Sequence, residues 1–320
     1  CLHSRHLRST YHIIELGVEV AKNLIRAGPK QVTSFDNRKV TPEEVGRNFY
    51  CRPEHVGKVT RAEASLDELK DLNSSVHVSI ATDDSIESMN LCLIRAAHYE
   101  CVVVLDNYNR DYLVKLNKAF HEKNLGFIYA GNLGLYGFTF VDFGDSHRIF
   151  DATGEESKSV HIAGITQEER ALVCLHEEKK HGLNDGDTVI FREVKGMSEI
   201  NGKEFKIEIK SPHSFLIGDT RSFSPYVSGG IATEIKVPIE IKSHDLEKSL
   251  RYPYPPDSRE MPIASWDKFG IPEQLHVILN AILPFHGKHH RIPRPLNQDD
   301  ATELKALVKE FQSTKMEIEG

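Results

Sequence analysis

Cysteines, clustered histidines and paired acids are the side chains of this 320-residue chain whose types could do chemistry. The five cysteines are Cys1, Cys51, Cys92, Cys101 and Cys174. No two form a C-x-x-C pair and their number is odd, a pattern of reduced thiols in a cytosolic or nuclear protein. None sits in a context that would lower its pKa, so no catalytic nucleophile is expected among them. His286, His289 and His290 lie close together, as do His176 and His181. Neither group has a cysteine or carboxylate at zinc-like spacing, so no metal site is expected. The 286–290 group, in a basic Gly-Lys-His-His-Arg stretch, reads as a solvated helix end. Asp83-Asp84, Glu177-Glu178 and Asp299-Asp300 read as exposed acids or helix-start charges. A phosphate cradle needs several glycines at a helix N-terminus, and here a lone Gly17 stands ahead of a helix. Asp36 follows a short strand where a ribose-binding acid often falls. Without the glycine turn it reads as a strand-end acid.

The elements that must position these residues fall into three regions. Over residues 1–150 helical and strand patterns alternate. Val18, Ala21, Leu24 and Ile25 recur at helical spacing and Gly28-Pro29 stops that helix. Short strands are expected over Gln31–Phe35, Val76–Ala81 and Gly126–Ala130, and helices over Leu66–Leu72 and Tyr112–Glu122. The continuous apolar run Cys101–Leu105 predicts a strand buried on both faces. This alternation argues for a mostly parallel sheet covered by helices.

Over residues 151–240 helical spacing gives way to β-rich stretches punctuated by Asp185-Gly186, Asn201-Gly202 and Gly229-Gly230. Asn-Gly between strands is a two-residue hairpin signal, and five or six strands at this spacing predict a small barrel or sandwich. Phe215, Phe223 and Tyr226 are expected in its core. Over residues 241–320 the chain turns helical. Pro253–Pro262 reads as a linker with four prolines. Leu275, Ile278, Leu279 and Ile282 share one face of a helix that Pro284 should end or kink. Asn297 is a candidate N-cap with Asp300 at the third position, ahead of an apolar stripe of Leu304, Leu307, Val308 and Phe311.

Composition narrows the function. The net charge of −7, with basic residues dispersed among acids, excludes a nucleic-acid surface as the leading reading. No apolar stretch approaches the ~20 residues that span a bilayer, and the first residues are not a signal peptide. The chain opens without methionine and reads as a fragment or as missing its ends. Neither internal repeats nor low-complexity tracts are found.

Four ordered segments carry a resemblance. Leu2-His3-Ser4-Arg5-His6-Leu7 resembles a Leu-Tyr-Ser-Arg-Gln-Leu motif, and Leu16–Asn23 resembles Leu-Gly-Val-Glu-Ile-Ala-Lys-Asn. Gly134–Gly137 with Phe140–Gly144 resembles Gly-Leu-Phe-Gly and its following strand. The β run His181–Pro238 and the helices around Gln274-Leu275-His276 complete the set. Together they resemble the N-terminal half of the eukaryotic ubiquitin-activating (E1) enzymes over essentially the whole chain. The sequence departs from that family in a short Arg8–Glu15 segment, in Leu133 where the family has Arg, and in His6 for Gln.

The resemblance implies an α/β Rossmann-like (ThiF/E1-like) domain with an inserted small all-β barrel domain and a C-terminal helical bundle. Residues 1–150 would be an inactive adenylation domain, 151–240 the first catalytic cysteine half-domain and 241–320 a four-helix bundle segment. It further implies an ATP-dependent ligase that adenylates ubiquitin, forms a thioester and passes ubiquitin to conjugating E2 enzymes. Partners would be ubiquitin and the C-terminal active adenylation half, with no nucleic acid and no membrane, in cytoplasm and nucleus. Mg-ATP would serve the full-length enzyme, with none bound to this fragment alone. Arg5 would reach the ATP phosphates in the partner adenylation site, since a guanidinium forms fork-like bonds to phosphate. No catalytic or metal-binding residue is expected here, and the fragment alone is expected to be inactive. An E1 for another ubiquitin-like modifier and a non-catalytic module on a degenerate adenylation fold remain as alternatives. A nucleotide-dependent oxidoreductase is disfavoured by the missing glycine turn.

Overall fold

The computed structural model describes residues 15–81, 100–105, 109–133, 136–152, 154–176, 180–251 and 272–319. They divide into two compact units, one formed by residues 1–147 with 242–320 and the other by 148–241. Asp83-Asp84, Glu177-Glu178, the Pro253–Pro262 linker, Cys1, Cys92 and Arg5 lie outside the described residues.

The first unit is mixed α/β. Its elements are α1 (Glu15–Arg26), β1 (Gln31–Ser34), α2 (Pro42–Val45), α3 (Arg61–Asp71), β2 (His77–Ile80), β3 (Cys101–Leu105), α4 (Arg110–His121), β4 (Gly126–Leu133) and β5 (Tyr136–Asp142). β1 pairs in parallel with β2, and β3 in parallel with β4, which pairs antiparallel with β5. All five residues of β3 are buried, as its apolar run predicts. Its alternating side chains serve two cores. Val102 and Val104 pack with Leu113, Leu116 and Phe120 of α4. Cys101, Val103 and Leu105 pack with Val18, Ala21 and Ile25 of α1 and Leu69 of α3. Period-two alternation thus lets one strand hold helices on both faces. Caps fix where these helices start: the Thr60 hydroxyl accepts from the Glu63 amide at 3.2 Å while Glu63 Oε2 accepts from the Thr60 amide at 2.7 Å. Asn109 Oδ1 likewise accepts from the Tyr112 amide at 3.1 Å.

A buried polar knot closes this unit. Asn117, on α4, donates through Nδ2 to Asp142 Oδ2 at 2.7 Å. Its Oδ1 accepts the Leu246 amide at 2.7 Å. Asp142, fully buried, also meets His121 Nδ1 at 3.0 Å and accepts the Gly144 amide at 2.8 Å. Close by, the Phe143 amide donates to Ser243 Oγ at 3.0 Å and the Ser243 amide to the Gly144 carbonyl at 2.9 Å. The chain therefore leaves the first unit after residue 147 and re-enters at 242 between directly bonded segments.

The second unit carries β6 (His147–Ile149), β7 (Ser159–Ile165), β8 (Leu172–Leu175), β9 (Thr188–Arg192), β10 (Glu204–Lys206), β11 (Glu208–Ser211), β12 (Ser214–Leu216), β13 (Ile231–Ile235) and β14 (Ile239–Ile241). Seven strands form an antiparallel sheet in the order β10-β9-β13-β7-β8-β12-β11, and β6 pairs with β14. The expected barrel is not closed by a strand pair among the described residues. β10 and β11, the ends of the order, are separated only by Ile207, so they join through the chain rather than through a ladder. The core holds Val173, Val189, Phe191 and Phe215, with Phe223 and Tyr226 half-buried against it. Asn201-Gly202 is not the expected two-residue hairpin turn, for eleven residues separate β9 from β10 and Asn201 has φ −62°. Its amide side chain instead brackets one residue, accepting from the Val194 amide at 3.0 Å and donating to the Val194 carbonyl at 2.9 Å.

Back in the first unit, α5 (Leu246–Arg251), α6 (Pro272–His289) and α7 (Gln298–Glu319) form the helical region. α5 and α6 join the core through Leu246, Leu250, Ile282 and Leu283. Pro284 does not end α6, which runs five residues further. Leu283 and Phe285 are buried on either side of it, and the helix end is tied across to α7. Lys288 Nζ donates to Glu303 Oε1 at 2.7 Å, and His289 Nε2 meets Glu303 Oε2 at 3.0 Å. Asn297 caps α7 as predicted, accepting the Asp300 amide at 3.0 Å. Asp300, read as an exposed acid or a helix-start charge, lies in the first turn of α7 and is buried, because Arg291 grips it with two bonds of 2.6 and 2.8 Å and the Arg294 amide adds a third of 2.8 Å.

Two outcomes are expected from these contacts. Asn117→Ala orphans the Leu246 amide and removes one of the two partners of Asp142 Oδ2, which keeps His121 Nδ1 at 3.0 Å, so unfolding free energy should fall by about 1–3 kcal/mol, read from urea denaturation of the helical signal. The Arg291 side chain, then the Arg294 amide, hold the Asp300 carboxyl far below its usual 3.8. A depressed folded pKa contributes stability that is complete above the unfolded value and is lost as pH falls through the folded one. The melting-temperature gap between wild type and Asp300→Asn should therefore be present at pH 7 and shrink as the pH drops below about 4.

Candidate functional site

The residues singled out for nucleotide chemistry do not assemble a site among the described residues. Gly17 lies within α1, buried, rather than in a turn ahead of it. Asp36, 3 % exposed, is already bonded. Its Oδ1 accepts the Arg38 amide at 3.1 Å and Nε at 3.3 Å, and Arg61 Nη1 stands 3.5 Å from Oδ2. Arg61 also pairs with the buried Glu44, whose Oε2 accepts the Thr41 amide at 2.8 Å. The cluster pins the end of β1 to the starts of α2 and α3, which leaves Asp36 no free oxygen aimed at a ribose.

The cysteines and histidines are likewise structural where they are described. Burial pushes the Cys101 thiol up to about 12. Burial, then the Glu44 carboxylate, raises that of Cys51. Both are thiols at neutral pH and poor nucleophiles. No group of three metal-ligating side chains occurs among the described residues. His181 is buried and uses both ring nitrogens on backbone: Nδ1 accepts the Leu183 amide at 3.0 Å, which places the ring proton on Nε2, donated to the Ser211 carbonyl at 2.8 Å. Burial, then the charge of His290, lowers the pKa of His286.

The feature that sequence reasoning missed is a groove of about 1320 Å³ in the second unit. Val160, Ile162, Val194 and Ile231 give it apolar lining, and Lys158, Lys180 and Lys195 stand around it with Glu193 as the acid. One wall is locked by a turn. Glu193 and Gly196 have φ of +60° and +85°. A Cβ on Gly196 would stand 2.3 Å from the Pro225 carbonyl oxygen, so only glycine fits. Lys195 and Ser228 form a bridge, the Lys195 amide donating to the Ser228 carbonyl at 2.9 Å, and Tyr226 OH donates to the Gly229 carbonyl at 2.9 Å. Lys158 joins two segments, its amide donating to Glu234 Oε2 at 3.1 Å and its Nζ to the Gly182 carbonyl. The glycines of residues 196–230 mark these turns in the sequence, but which walls they bring together depends on strand pairings between residues 39 to 74 apart, which no local pattern encodes.

Comparison with known proteins relates these features to one family. Residues 168–236 match the ubiquitin-activating enzyme E1 FCCH domain and residues 237–312 the ubiquitin-activating enzyme E1 four-helix bundle. The chain is 36 % identical over 295 residues to ubiquitin-like modifier-activating enzyme 1 of Homo sapiens, covering 92 % of this chain and 27 % of that protein. It is 35 % identical over 307 residues to ubiquitin-activating enzyme E1 1 of Candida albicans, covering 95 % and 28 %. It is 35 % identical over 302 residues to ubiquitin-like modifier-activating enzyme 6 of Mus musculus, covering 93 % and 28 %. The chain thus spans little more than a quarter of these relatives. No helix among the described residues is long and apolar enough to cross a membrane. Over the region it spans, the chain carries the FCCH and four-helix bundle domains of ubiquitin-activating enzyme E1 and is similar to E1 enzymes over most of its length.

Proposed function

We propose that this chain is the N-terminal portion of an enzyme that activates ubiquitin with Mg-ATP. The observation that carries the reading is the abutment of two E1-specific domains at residues 236 and 237, in a chain similar to E1 enzymes over nine-tenths of its length. In the reaction the C-terminal carboxylate of ubiquitin attacks the α-phosphorus of ATP and pyrophosphate leaves. A cysteine thiolate then attacks the acyl carbon, AMP leaves, and the thioester passes to a conjugating enzyme.

This chain's share is scaffold and docking. Residues 1–150 act as an inactive adenylation domain, 151–240 as the first catalytic cysteine half-domain, a wall for ubiquitin, and 241–320 as the bundle segment. The engagement of Asp36 by Arg38 and Arg61, and the raised thiol pKa values of Cys51 and Cys101, support locating the ATP site and the thioester cysteine elsewhere in the enzyme. Arg5 supplies a guanidinium to the phosphates of ATP in the partner site, where it offsets charge as pyrophosphate departs. A modifier other than ubiquitin is the second reading, since the relatives include modifier-activating enzymes 1 and 6 at equal identity.

Ubiquitin-dependent ATP–pyrophosphate exchange tests the reading on three proteins: the 320-residue chain, the full-length product of the same gene, and full-length Arg5→Ala. Exchange is expected only at full length, reduced by on the order of 10²-fold in Arg5→Ala. Exchange by the 320-residue chain overturns the scaffold assignment. A folded full-length protein that exchanges with another modifier and not with ubiquitin decides for the second reading.

A further inference from the structure

The groove of the second unit is built to hold something, and its chemistry says what. At about 1320 Å³ it exceeds the ~300–1,000 Å³ of sites for small organic ligands. Val160 and Ile162 on β7 line one face of the sheet, and Ile231 on β13, which pairs with His161, lines the other. Among the described lining residues, Lys158, Lys180 and Lys195 stand against the one carboxylate of Glu193. Lys180 and Lys195 are exposed and make no ion pair with a described carboxylate. The wall carrying Lys195 is held by its bridge to Ser228 and by the Gly196 turn, so little ordering entropy opposes binding there.

We infer that this groove docks an extended, acidic polypeptide segment, with carboxylates at Lys180 and Lys195 and apolar side chains against Val160. The exposed ammonium groups of Lys180 and Lys195 select for negative charge, and their flexible stems suit carboxylates at variable spacing, while Lys158 is held by the Gly182 carbonyl and Glu155. The inference stands independently of which modifier the enzyme activates, because it rests on the groove alone.

The test is fluorescence anisotropy on the whole 320-residue chain with two labelled decapeptides. One alternates glutamate with valine and leucine, and the other has lysine in place of each glutamate. The acidic peptide should bind at least about tenfold more tightly than the basic one, and more weakly as salt rises. Lys180→Glu with Lys195→Glu should weaken it by about tenfold at an unchanged melting temperature, and Glu193→Gln should tighten it about twofold. Equal binding of the two peptides, no binding, or an acidic peptide indifferent to both lysine reversals overturns the inference. Pyrophosphate exchange by the full-length protein reports on the enzyme reading separately, so failure of one is distinguishable from failure of the other.

Discussion

The architecture of the first unit hangs on one buried amide. Asn117 donates to the last strand before the insertion and accepts from the first helix after it, partners 25 and 129 residues away in sequence. An asparagine suits this post because it offers a donor and an acceptor on one short, stiff side chain. Either end alone would leave a buried group without its bond, and such a group costs more than a satisfied one contributes. Around it, Asp142 gathers His121 and the Gly144 amide, and Ser243 stitches the two chain ends together. The apolar core supplies the bulk of the folding free energy, but only these directional bonds specify where the returning chain must sit.

What the sequence disclosed follows the range of the forces involved. β3 was legible because a five-residue apolar run has few places to go except a strand covered on both faces. The Asn297 cap was legible because an N-cap bonds within its own first turn. Pro284 does not end its helix, because proline removes one donor locally while the helix beyond it is held by Phe285 in the core and by Glu303 on the next helix. Asp300 is the helix-start acid the sequence suggested, but its burial was not legible: such an acid reads alike whether water surrounds it or Arg291 grips it from nine residues upstream.

The candidate site was less legible than the fold. The resemblance named the family from ordered short motifs, and the domain matches agree with it. The groove left no such trace, since its three lysines come from three separate stretches of the chain. Its glycines were visible as punctuation, yet the requirement at Gly196 arises only from the approach of the Pro225 carbonyl. Asp36 shows the converse. Its position at a strand end suggested a ligand role, but Arg38 hydrogen-bonds both its oxygens and Arg61 stands at ion-pair distance.

The bonded exit and return at residues 143–144 and 243 have an implication for how such a chain can vary. Two neighbouring points of one scaffold, joined to each other by hydrogen bonds, are what a short turn would also connect. The ninety-odd residues between them hang as a cassette, with a hydrophobic core of their own. A cassette of that kind can be lengthened, reshaped or exchanged without breaking the α/β core that carries it. The socket, fixed by Asn117 and Asp142, is the part that variation has least freedom to touch.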